Sequence, residues 1–352
     1  MGYFFVELVC VASMIYSMSN YSNITLIPNY FDGTSRSEID TSVEFLGKKF
    51  KLPVVPANMS SVIDEKIAYQ LSEGGYFYIM HRFYTLGNSS LLKKMNNENW
   101  KLKSISVGVK DDDKKFIEEV LSSKLLVDFI TIDIAHGHSK LMKDMIAFIR
   151  SKLPEVKIIA GNVCTFTGAW DLYSWGADCV KVGIAQGGAC STFGKTGFGL
   201  DMPKTLLNIY HNQEDKEAKF PIIADGGVRV NGDIAKAIVL AISSMKSAMP
   251  QSDFKYTLQP VIVMAGSLFA ACSDSPAEYD LATGSKTYYG SASARQKGHN
   301  KNVEGFETSV KNNGMTYAQK LNEIQQDLQS SISYAGGKDI SALGNVYFTE
   351  QK

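Results

Sequence analysis

Residues 129–163 read FITIDIAHGHSKLMKDMIAFIRSKLPEVKIIAGNV and contain one complete strand–helix–strand unit. An apolar run, Phe129–Ala135, ends in small and polar residues, and an amphipathic segment, Ser139–Leu153, follows it. A second apolar run, Lys157–Val163, comes directly after that segment. Strands that alternate with helices pair in parallel, because the helix carries the chain back to the starting edge. The stretch therefore predicts two neighbouring parallel strands.

The same pattern recurs along the chain and decides the fold class. Amphipathic segments at Asp64–Glu73, Lys114–Leu121, Phe166–Trp175 and Gly232–Met245 separate further apolar runs. Eight such units predict an α/β protein with a single (β/α)8 TIM barrel. An open doubly wound sheet competes, although no GxGxxG follows the first run and eight units exceed its usual number. The eight runs are Pro53–Asn58, Tyr76–Arg82, Ser104–Val109, Phe129–Ala135, Lys157–Val163, Cys179–Ile184, Pro221–Gly227 and Val261–Ser267.

Composition excludes several classes of protein. The chain has 352 residues, of which 45% are hydrophobic and 20% are charged, and its formal net charge is zero. Without a basic patch, no nucleic-acid partner is expected. The five cysteines are scattered and lack CxxC spacing, so neither a disulfide framework nor a zinc site is indicated. A reducing, cytoplasmic location is the expectation.

Residues 1–20 are predicted to form an N-terminal extension, and residues 21–352 the barrel domain. Met1–Met18 is apolar, but it lacks a basic start and Glu7 interrupts it. We interpret it as an extension packed on the body, or disordered, rather than a signal peptide. It is also too short for a confident membrane span, so no membrane contact is expected.

Three connections between runs are long. Ala185–Phe220 follows the sixth run and contains Cys190, which predicts an active-site loop. Cys272–Gly314 follows the eighth run on the same face and is predicted to act as a lid. Ser243–Pro260 leads from a helix to a strand, on the face of a barrel where catalytic residues are not found, and is interpreted as a surface insertion.

The strongest chemical signal is Lys181-Val-Gly-Ile-Ala-Gln-Gly-Gly-Ala-Cys190-Ser-Thr192. An apolar run enters a glycine-rich loop that ends at one cysteine, with a hydroxyl two residues later. Barrel enzymes carry their catalytic groups where strands end. The glycine-rich approach and the nearby Thr192 hydroxyl favour Cys190 as a nucleophile. Cys164 and Cys272 also follow strands and are weaker alternatives.

Glycines at the last two strand ends indicate a phosphate site. Asp225-Gly226-Gly227 follows the seventh run and Gly266-Ser267 follows the eighth, where barrels commonly bind phosphate. Glycine lets backbone N–H groups approach an anion closely, whereas tight turns that need positive φ are the alternative explanation. Asp225 would repel phosphate, so ribose hydroxyls are its more plausible partners.

Two histidines follow the fourth run, where Asp133 is succeeded by His136-Gly-His138-Ser139. A metal site is conceivable, but the local sequence offers no third close ligand. Contact with a cofactor, or exposure at the surface, is the preferred interpretation.

These motifs together resemble the GMP reductases, within the IMP dehydrogenase/GMP reductase superfamily and in the branch typical of Gram-positive bacteria. The resemblance extends from about Ile24 to about Val346. It is carried by stretches such as Leu-Pro-Val-Val-Pro-Ala-Asn58-Met, Thr-Ile-Asp133-Ile-Ala-His-Gly-His-Ser139, Ile-Ile-Ala-Gly161-Asn-Val, Lys195-Thr-Gly-Phe-Gly199, Pro-Ile-Ile-Ala-Asp225-Gly-Gly, Tyr-Tyr-Gly290-Ser-Ala-Ser and Lys-Asn-Val-Glu304-Gly.

The resemblance implies a homotetrameric barrel that converts GMP to IMP and ammonia with NADPH. Cys190 would form a covalent adduct with the purine, and Thr192 would assist the amine step. It implies substrate contacts at Asn58, Met59, Gly187, Asp225, Gly226, Gly227, Gly266, Ser267 and Ser291. It implies cofactor contacts at Asp133, His136, Gly137, His138, Ser139 and Asn162. A potassium ion on the backbone of Ala185, Gly187 and Cys190 is a further possibility.

Two alternatives remain open at this point. IMP dehydrogenase shares the cysteine loop, but no inserted regulatory module and no Arg-Tyr pair after Gly290 is present. A nucleotide-binding barrel without turnover is the other, because Ala185 and Gln186 replace the usual Gly-Pro. Some reductases also have a glutamate where this chain has Ala294, so the sequence leaves the general acid unassigned.

Overall fold

A computed structural model describes residues 20–84, 87–213, 219–243 and 260–350. The predicted N-terminal extension lies outside this part of the chain except for Asn20, and so does nearly all of the predicted insertion at 243–260. Within the described residues, every helix is too short or too polar to cross a membrane.

Seven parallel strands form the central sheet, and each corresponds to one of the predicted apolar runs. Their order in space is β1-β7-β6-β5-β4-β3-β2, so the first strand pairs with the last, with Val54 opposite Val263. A doubly wound sheet reverses its strand order near the middle, which this sheet does not do. The strands are β1 (Val54–Pro56), β2 (Ser104–Val107), β3 (Phe129–Asp133), β4 (Lys157–Val163), β5 (Cys179–Val182), β6 (Ile222–Asp225) and β7 (Val261–Ala265).

The second predicted run, Tyr76–Arg82, is not a regular strand. Its residues 77–80 are buried, and the Met80 N–H donates to the Ser104 carbonyl at 3.3 Å. The Met80 carbonyl accepts instead from the side chain of Ser106, at 2.5 Å. A hydroxyl therefore replaces a backbone donor, which interrupts the ladder to β2. The run nevertheless lies beside β2.

Helices separate most of the strands, as the amphipathic segments predict. The five predicted segments are confirmed as α1, α3, α4, α5 and α7, with ends within a few residues of the expectation. Asp64, Ser139 and Thr165 accept backbone N–H groups at the first turns of three of them. The eight longer helices are α1 (Glu65–Gly74), α2 (Asn88–Asn97), α3 (Asp111–Ser122), α4 (Lys140–Lys152), α5 (Phe166–Ser174), α6 (Met202–Gln213), α7 (Gly232–Ser243) and α8 (Tyr317–Tyr334).

Smaller elements cover the ends of the sheet. Short helices occur at Thr192–Thr196, Ser267–Ala270 and Ala294–Lys297, and 3-10 turns at Tyr21–Asn23, Arg36–Glu38 and Ile340–Asn345. Ile24–Leu26 pairs with Phe348–Glu350, which joins the two ends of the described chain. Val43–Phe45 and Lys48–Phe50 form an antiparallel hairpin.

An aromatic cluster fills the end of the sheet where the strands begin. Phe45 and Phe50 of the hairpin contact Phe77 and Phe129, with ring centroids 5.1–6.4 Å apart. All four side chains are buried. These rings pack the interior of this end with apolar side chains, whereas the carboxyl ends of the strands carry the predicted site residues.

The two long connections on that face contain regular structure. Residues 185–220 include the short helix Thr192–Thr196 and α6. Residues 272–314 include a three-stranded antiparallel sheet of Tyr279–Asp280, Ser285–Tyr289 and Glu307–Lys311. The buried Lys286 ammonium anchors this sheet, since it donates to the carbonyls of Cys272, Ser273 and Ser275 at 2.7–3.1 Å.

We expect Phe77→Ala to lower the free energy of unfolding by about 3–5 kcal/mol, because it empties the centre of the aromatic cluster. The measurement is urea unfolding followed by circular dichroism. Leu281→Ala is the control, since that side chain is exposed and its loss should change the free energy by about 0.5 kcal/mol or less. Equal midpoints for the two variants would contradict the role of the cluster.

Candidate active site

A cavity of about 380 Å³ opens at the carboxyl ends of the strands. It brings together ten of the predicted site residues from distant parts of the chain. A second cavity of about 550 Å³ adjoins it across the cysteine loop and is lined by Gly187, Gly227 and Ser267. The ten residues of the first cavity are Asn58, Met59, Asp133, Asn162, Ala185, Gly187, Cys190, Thr192, Asp225 and Ser291.

Cys190 lies at the centre of a short hydrogen-bonded series. Its thiol donates to the Thr192 hydroxyl oxygen at 3.1 Å, and that hydroxyl donates to Oε2 of Glu304 at 3.1 Å. All three side chains are partly exposed to the cavity. A carboxylate that reaches a thiol through a hydroxyl can accept the thiol proton and return it to a leaving group. The arrangement therefore suits nucleophilic catalysis with proton transfer.

Backbone contacts hold Glu304 against the cysteine loop. The Ser191 N–H donates to the Glu304 carbonyl at 2.8 Å, and the Phe306 N–H donates to the Ala189 carbonyl at 3.0 Å. The Lys195 ammonium adds a bond to the Val303 carbonyl at 2.6 Å. Sequence reasoning gave Glu304 no role, because its partners are more than 100 residues away and no periodicity connects them. Only the family stretch Lys-Asn-Val-Glu304-Gly pointed to this segment.

The turn before the cysteine has the conformation that its glycines suggest. Gly183 has φ 133°, and a Cβ there would lie 2.2 Å from the Asp225 carbonyl oxygen. Ala185 also has positive φ, at 67°, which is unfavourable for a residue with a side chain. The loop therefore keeps the left-handed turn even though alanine replaces glycine at that position.

Five polar side chains form a hydrogen-bonded and ion-paired network in the wall of the cavity. Lys181 of β5 pairs with Oδ1 of Asp133 at 3.2 Å and with Oδ2 of Asp225. Asn58 donates to the second Asp133 oxygen at 3.1 Å, and Asn162 donates to Asp225 at 2.8 Å. Burial alone would lower the pKa of Lys181, but the two carboxylates outweigh it and hold that pKa above its ordinary value. The sequence analysis placed both aspartates in the site but did not identify their shared lysine.

The two predicted phosphate turns are tightly packed. Gly226 and Gly227 have φ of 113° and 81°, as the turn explanation requires. A Cβ at Gly226 would lie 3.0 Å from the Gln186 backbone, and one at Gly266 would lie 2.3 Å from the Tyr288 hydroxyl. Neither Gly226 nor Gly266 lines a cavity, whereas Gly227 and Ser267 line the second one. Steric packing thus accounts for part of this glycine pattern.

The four predicted cofactor residues 136–139 lie outside both cavities. His136 is exposed, and the His138 Nε2 atom is 2.8 Å from Asp171. The Ser139 hydroxyl accepts the Met142 N–H at the start of α4, and the Gly137 N–H donates to the Asn162 carbonyl. Among the described residues, no group of His, Cys, Asp and Glu side chains could hold a metal ion.

His81 and Arg82 follow the second run and enclose the cavity from that side. His81 is buried, and its Nδ1 accepts the Phe83 N–H at 3.1 Å. Burial lowers the pKa of His81 to about 4. Arg82 lines the cavity, and its buried Nε atom has no hydrogen-bond partner among the described residues. A neutral imidazole therefore supports the backbone next to an arginine that faces the site.

The depressed pKa of His81 predicts a loss of stability in acid. An unfolded histidine, with a pKa near 6.5, binds a proton that the folded form rejects down to about pH 4, so stability falls as the pH drops through that window. We expect about 2 kcal/mol of the unfolding free energy to disappear between pH 7 and pH 5 through this residue. Urea unfolding of His81→Gln at both pH values should lack that part of the loss. The exposed His299→Gln is the control and should retain it.

Comparison of the sequence with known proteins gives a family match and several similar relatives. A family model described as "IMP dehydrogenase / GMP reductase domain" matches residues 18–249 and 257–351. A GMP reductase of Staphylococcus carnosus is 49% identical over 93% of this chain and 94% of its own length. A GMP reductase of Oenococcus oeni is 47% identical over 94% and 95%, and one of Staphylococcus aureus is 47% identical over 93% and 94%.

Proposed function

The chain belongs to the IMP dehydrogenase/GMP reductase family, and we propose that it converts GMP to IMP and ammonia with NADPH. The observation that carries this proposal is the hydrogen-bonded series Cys190–Thr192–Glu304 at the mouth of the cavity. It is supported by relatives of nearly equal length that are named GMP reductase.

In the first step the sulfur of Cys190 attacks C2 of the purine. The bond between C2 and the exocyclic amino nitrogen then breaks, which releases ammonia. The thiol proton passes to Thr192 and Glu304, and the same series delivers a proton to the departing amine. Glu304 thus serves as the general acid that could not be assigned from Ala294. The step leaves the purine bound to Cys190 through a carbon–sulfur bond.

In the second step C2 accepts a hydride and the carbon–sulfur bond breaks, so IMP leaves and Cys190 departs as a thiolate. The thiolate then takes up a proton from solvent through Glu304 and Thr192. NADPH, when bound, supplies that hydride. The side chains of Asp133 and Asn162 line the cavity, where they would hold the reactive end of the cofactor. We also propose, on the family resemblance, that His136, Gly137, His138 and Ser139 contact the cofactor.

The nucleotide is proposed to span both cavities. Its base would lie between Met59, Ser291 and Cys190, and its ribose hydroxyls would donate to Asp225. Its phosphate would occupy the second cavity beside Gly227 and Ser267, with Gly226 and Gly266 shaping the turns.

A potassium ion on the carbonyls of Ala185, Gly187 and Cys190 is proposed only as a stabiliser of the loop. The Gly187 carbonyl already accepts the Cys190 N–H at 3.1 Å, which leaves one lone pair for an ion. No catalytic step depends on this ion.

We also propose that residues 21–352 form one closed (β/α)8 barrel. The pairing of β1 with β7 and the contact of residues 77–80 with β2 support closure through the eighth segment. A homotetramer and a cytoplasmic location are predictions from the family resemblance and the cysteine pattern.

IMP dehydrogenase is the alternative that a product assay must exclude. That reaction needs a group that activates water, which relatives supply as an Arg-Tyr pair in the segment after Gly290. Here Arg295 of that segment pairs with Glu278 and with Glu307, the latter at 2.9 Å, on the outer sheet. Its guanidinium is therefore bound away from the cavity, which favours the reductase.

The wild-type protein is expected to oxidise NADPH and release ammonia when GMP is added, and Cys190→Ala is expected to abolish both while GMP still binds. We would measure NADPH oxidation by absorbance, ammonia release by an ammonia assay and GMP binding by calorimetric titration. Reduction of NAD by IMP without any reaction of GMP would instead identify a dehydrogenase. Binding without either reaction would indicate a barrel that has lost turnover.

Glu304→Gln is expected to lower kcat for GMP by about 10²- to 10⁴-fold, because the amine then leaves without a proton donor. The reverse reaction of IMP with NADP, without ammonia, also begins with the Cys190 thiol, whose proton Glu304 accepts in this mechanism, so its single-turnover burst of NADPH should be slowed as well. Glu307→Gln is the matched control, since Glu307 is three residues away and forms its ion pair with Arg295 rather than a contact with Thr192. A Glu304→Gln variant with wild-type kcat would remove Glu304 from the mechanism.

A further inference from the structure

Lys181 occupies an unusual position between two strand-end carboxylates. Its side chain is 4% exposed, and its ammonium contacts Asp133 of β3 and Asp225 of β6. The two aspartates line the same cavity and are themselves 15% and 22% exposed. The mechanism above uses both aspartates but gives the lysine no part.

Lys181, Asp133 and Asp225 place one positive and two negative charges close together. Two carboxylates that converge in a partly buried site repel each other, and one of them tends to hold a proton unless a cation lies between them. Lys181 supplies that cation and gives the three groups a net charge of −1. Asn58 and Asn162 fix the outer faces of the carboxylates by donating to Asp133 and Asp225. The position of each carboxylate therefore depends on the lysine.

The ammonium is closely surrounded, so its effect falls on these two partners. Met264 of β7 places its sulfur 3.9 Å from the Lys181 Nζ atom, and the Asn162 amide lies on the side of β4. The other charged or titratable groups that line the cavity are Arg82, Cys190, Tyr288, Lys297 and Glu304. None of these five forms an ion pair with Asp133 or Asp225 among the described residues.

We propose that Lys181 is a positioning residue that couples the nucleotide half of the site to the cofactor half. It does so by holding the carboxylates of Asp225 and Asp133 ionised and at a fixed distance from each other. The inference rests on the proposed function, because it takes the ribose of GMP as the ligand of Asp225. An ionised Asp225 accepts hydrogen bonds from ribose hydroxyls, and a protonated one offers fewer acceptors. Loss of Lys181 makes ribose binding depend on the proton that replaces it.

The test compares GMP affinity in three variants by calorimetric titration at pH 6 and pH 8. Lys181→Met leaves a net charge of −2, and we expect GMP to bind about 10- to 100-fold more weakly at pH 8. Much of that loss should be recovered at pH 6, where a proton on Asp133 substitutes for the cation and leaves Asp225 ionised. The double variant Lys181→Met/Asp133→Asn restores the net charge of −1, and we expect its GMP affinity at pH 8 to approach that of the wild type. Its KM for NADPH should remain raised.

Lys103→Met is the matched control, because Lys103 is also buried but donates to the Trp100 carbonyl outside the cavity. Its GMP affinity should equal that of the wild type at both pH values. A loss in Lys181→Met that is the same at pH 6 and pH 8, and that Asp133→Asn does not repair, would reduce Lys181 to a packing role and overturn the inference.

Two further outcomes are distinguishable. If the wild type does not bind GMP, the proposed function fails before the lysine is tested. If the wild type binds GMP and Lys181→Met binds it equally well, the inference alone fails.

If Lys181→Met does not fold, Lys181→Gln replaces it, since it keeps a donor without the charge. GMP binding by Lys181→Gln that does not depend on pH would overturn the proposal.

Discussion

The pairing of the first strand with the last is the constraint on which the site depends. Val54 lies opposite Val263, so residues that follow β1 meet residues that follow β7. The Ser61 hydroxyl consequently donates to the Tyr289 carbonyl, across 228 positions of sequence, at 3.2 Å. Parallel strands present all their carboxyl ends on one side, and these ends gather Asn58, Asp133, Asn162 and Asp225 around one cavity. Without the pairing, the segment that carries Glu304 would have no fixed relation to Asn58.

The interior of the sheet divides into an apolar end and a charged end. Phenylalanine rings close the first, and Lys181 with its two aspartates occupies the second. Burying charged groups contributes little to stability, because desolvation offsets the attraction between them. The aromatic end can supply the stabilisation that the charged end lacks. Such a division is expected where local rules of good packing give way at a functional site.

Periodicity predicts the framework well, because a buried strand or a half-buried helix leaves a pattern in its own residues. Five helices and seven strands follow from such patterns. The run at 76–82 differs because Ser106, on another segment, takes the hydrogen bond that a strand would have made. The antiparallel sheet at 279–311 was not predicted, since its alternation is short and mixed with turn residues. Tertiary contacts decide both cases.

The candidate site was predictable only where a motif is local. The loop from Lys181 to Thr192 shows its chemistry in consecutive residues, whereas Glu304 and the Lys181 bridge exist only after folding. In the proposed mechanism, the absence of glutamate at position 294 does not remove the acid, because the Glu304 carboxylate accepts a hydrogen bond from Thr192. Substitution of Gly-Pro by Ala185-Gln186 is tolerated for a related reason. The contacts that hold the loop to residues 304–306 and to Gly227 use backbone atoms, which any side chain provides. The backbone conformation of the loop, rather than its side chains, is what these contacts require. Ala185 adopts that conformation although its φ is positive.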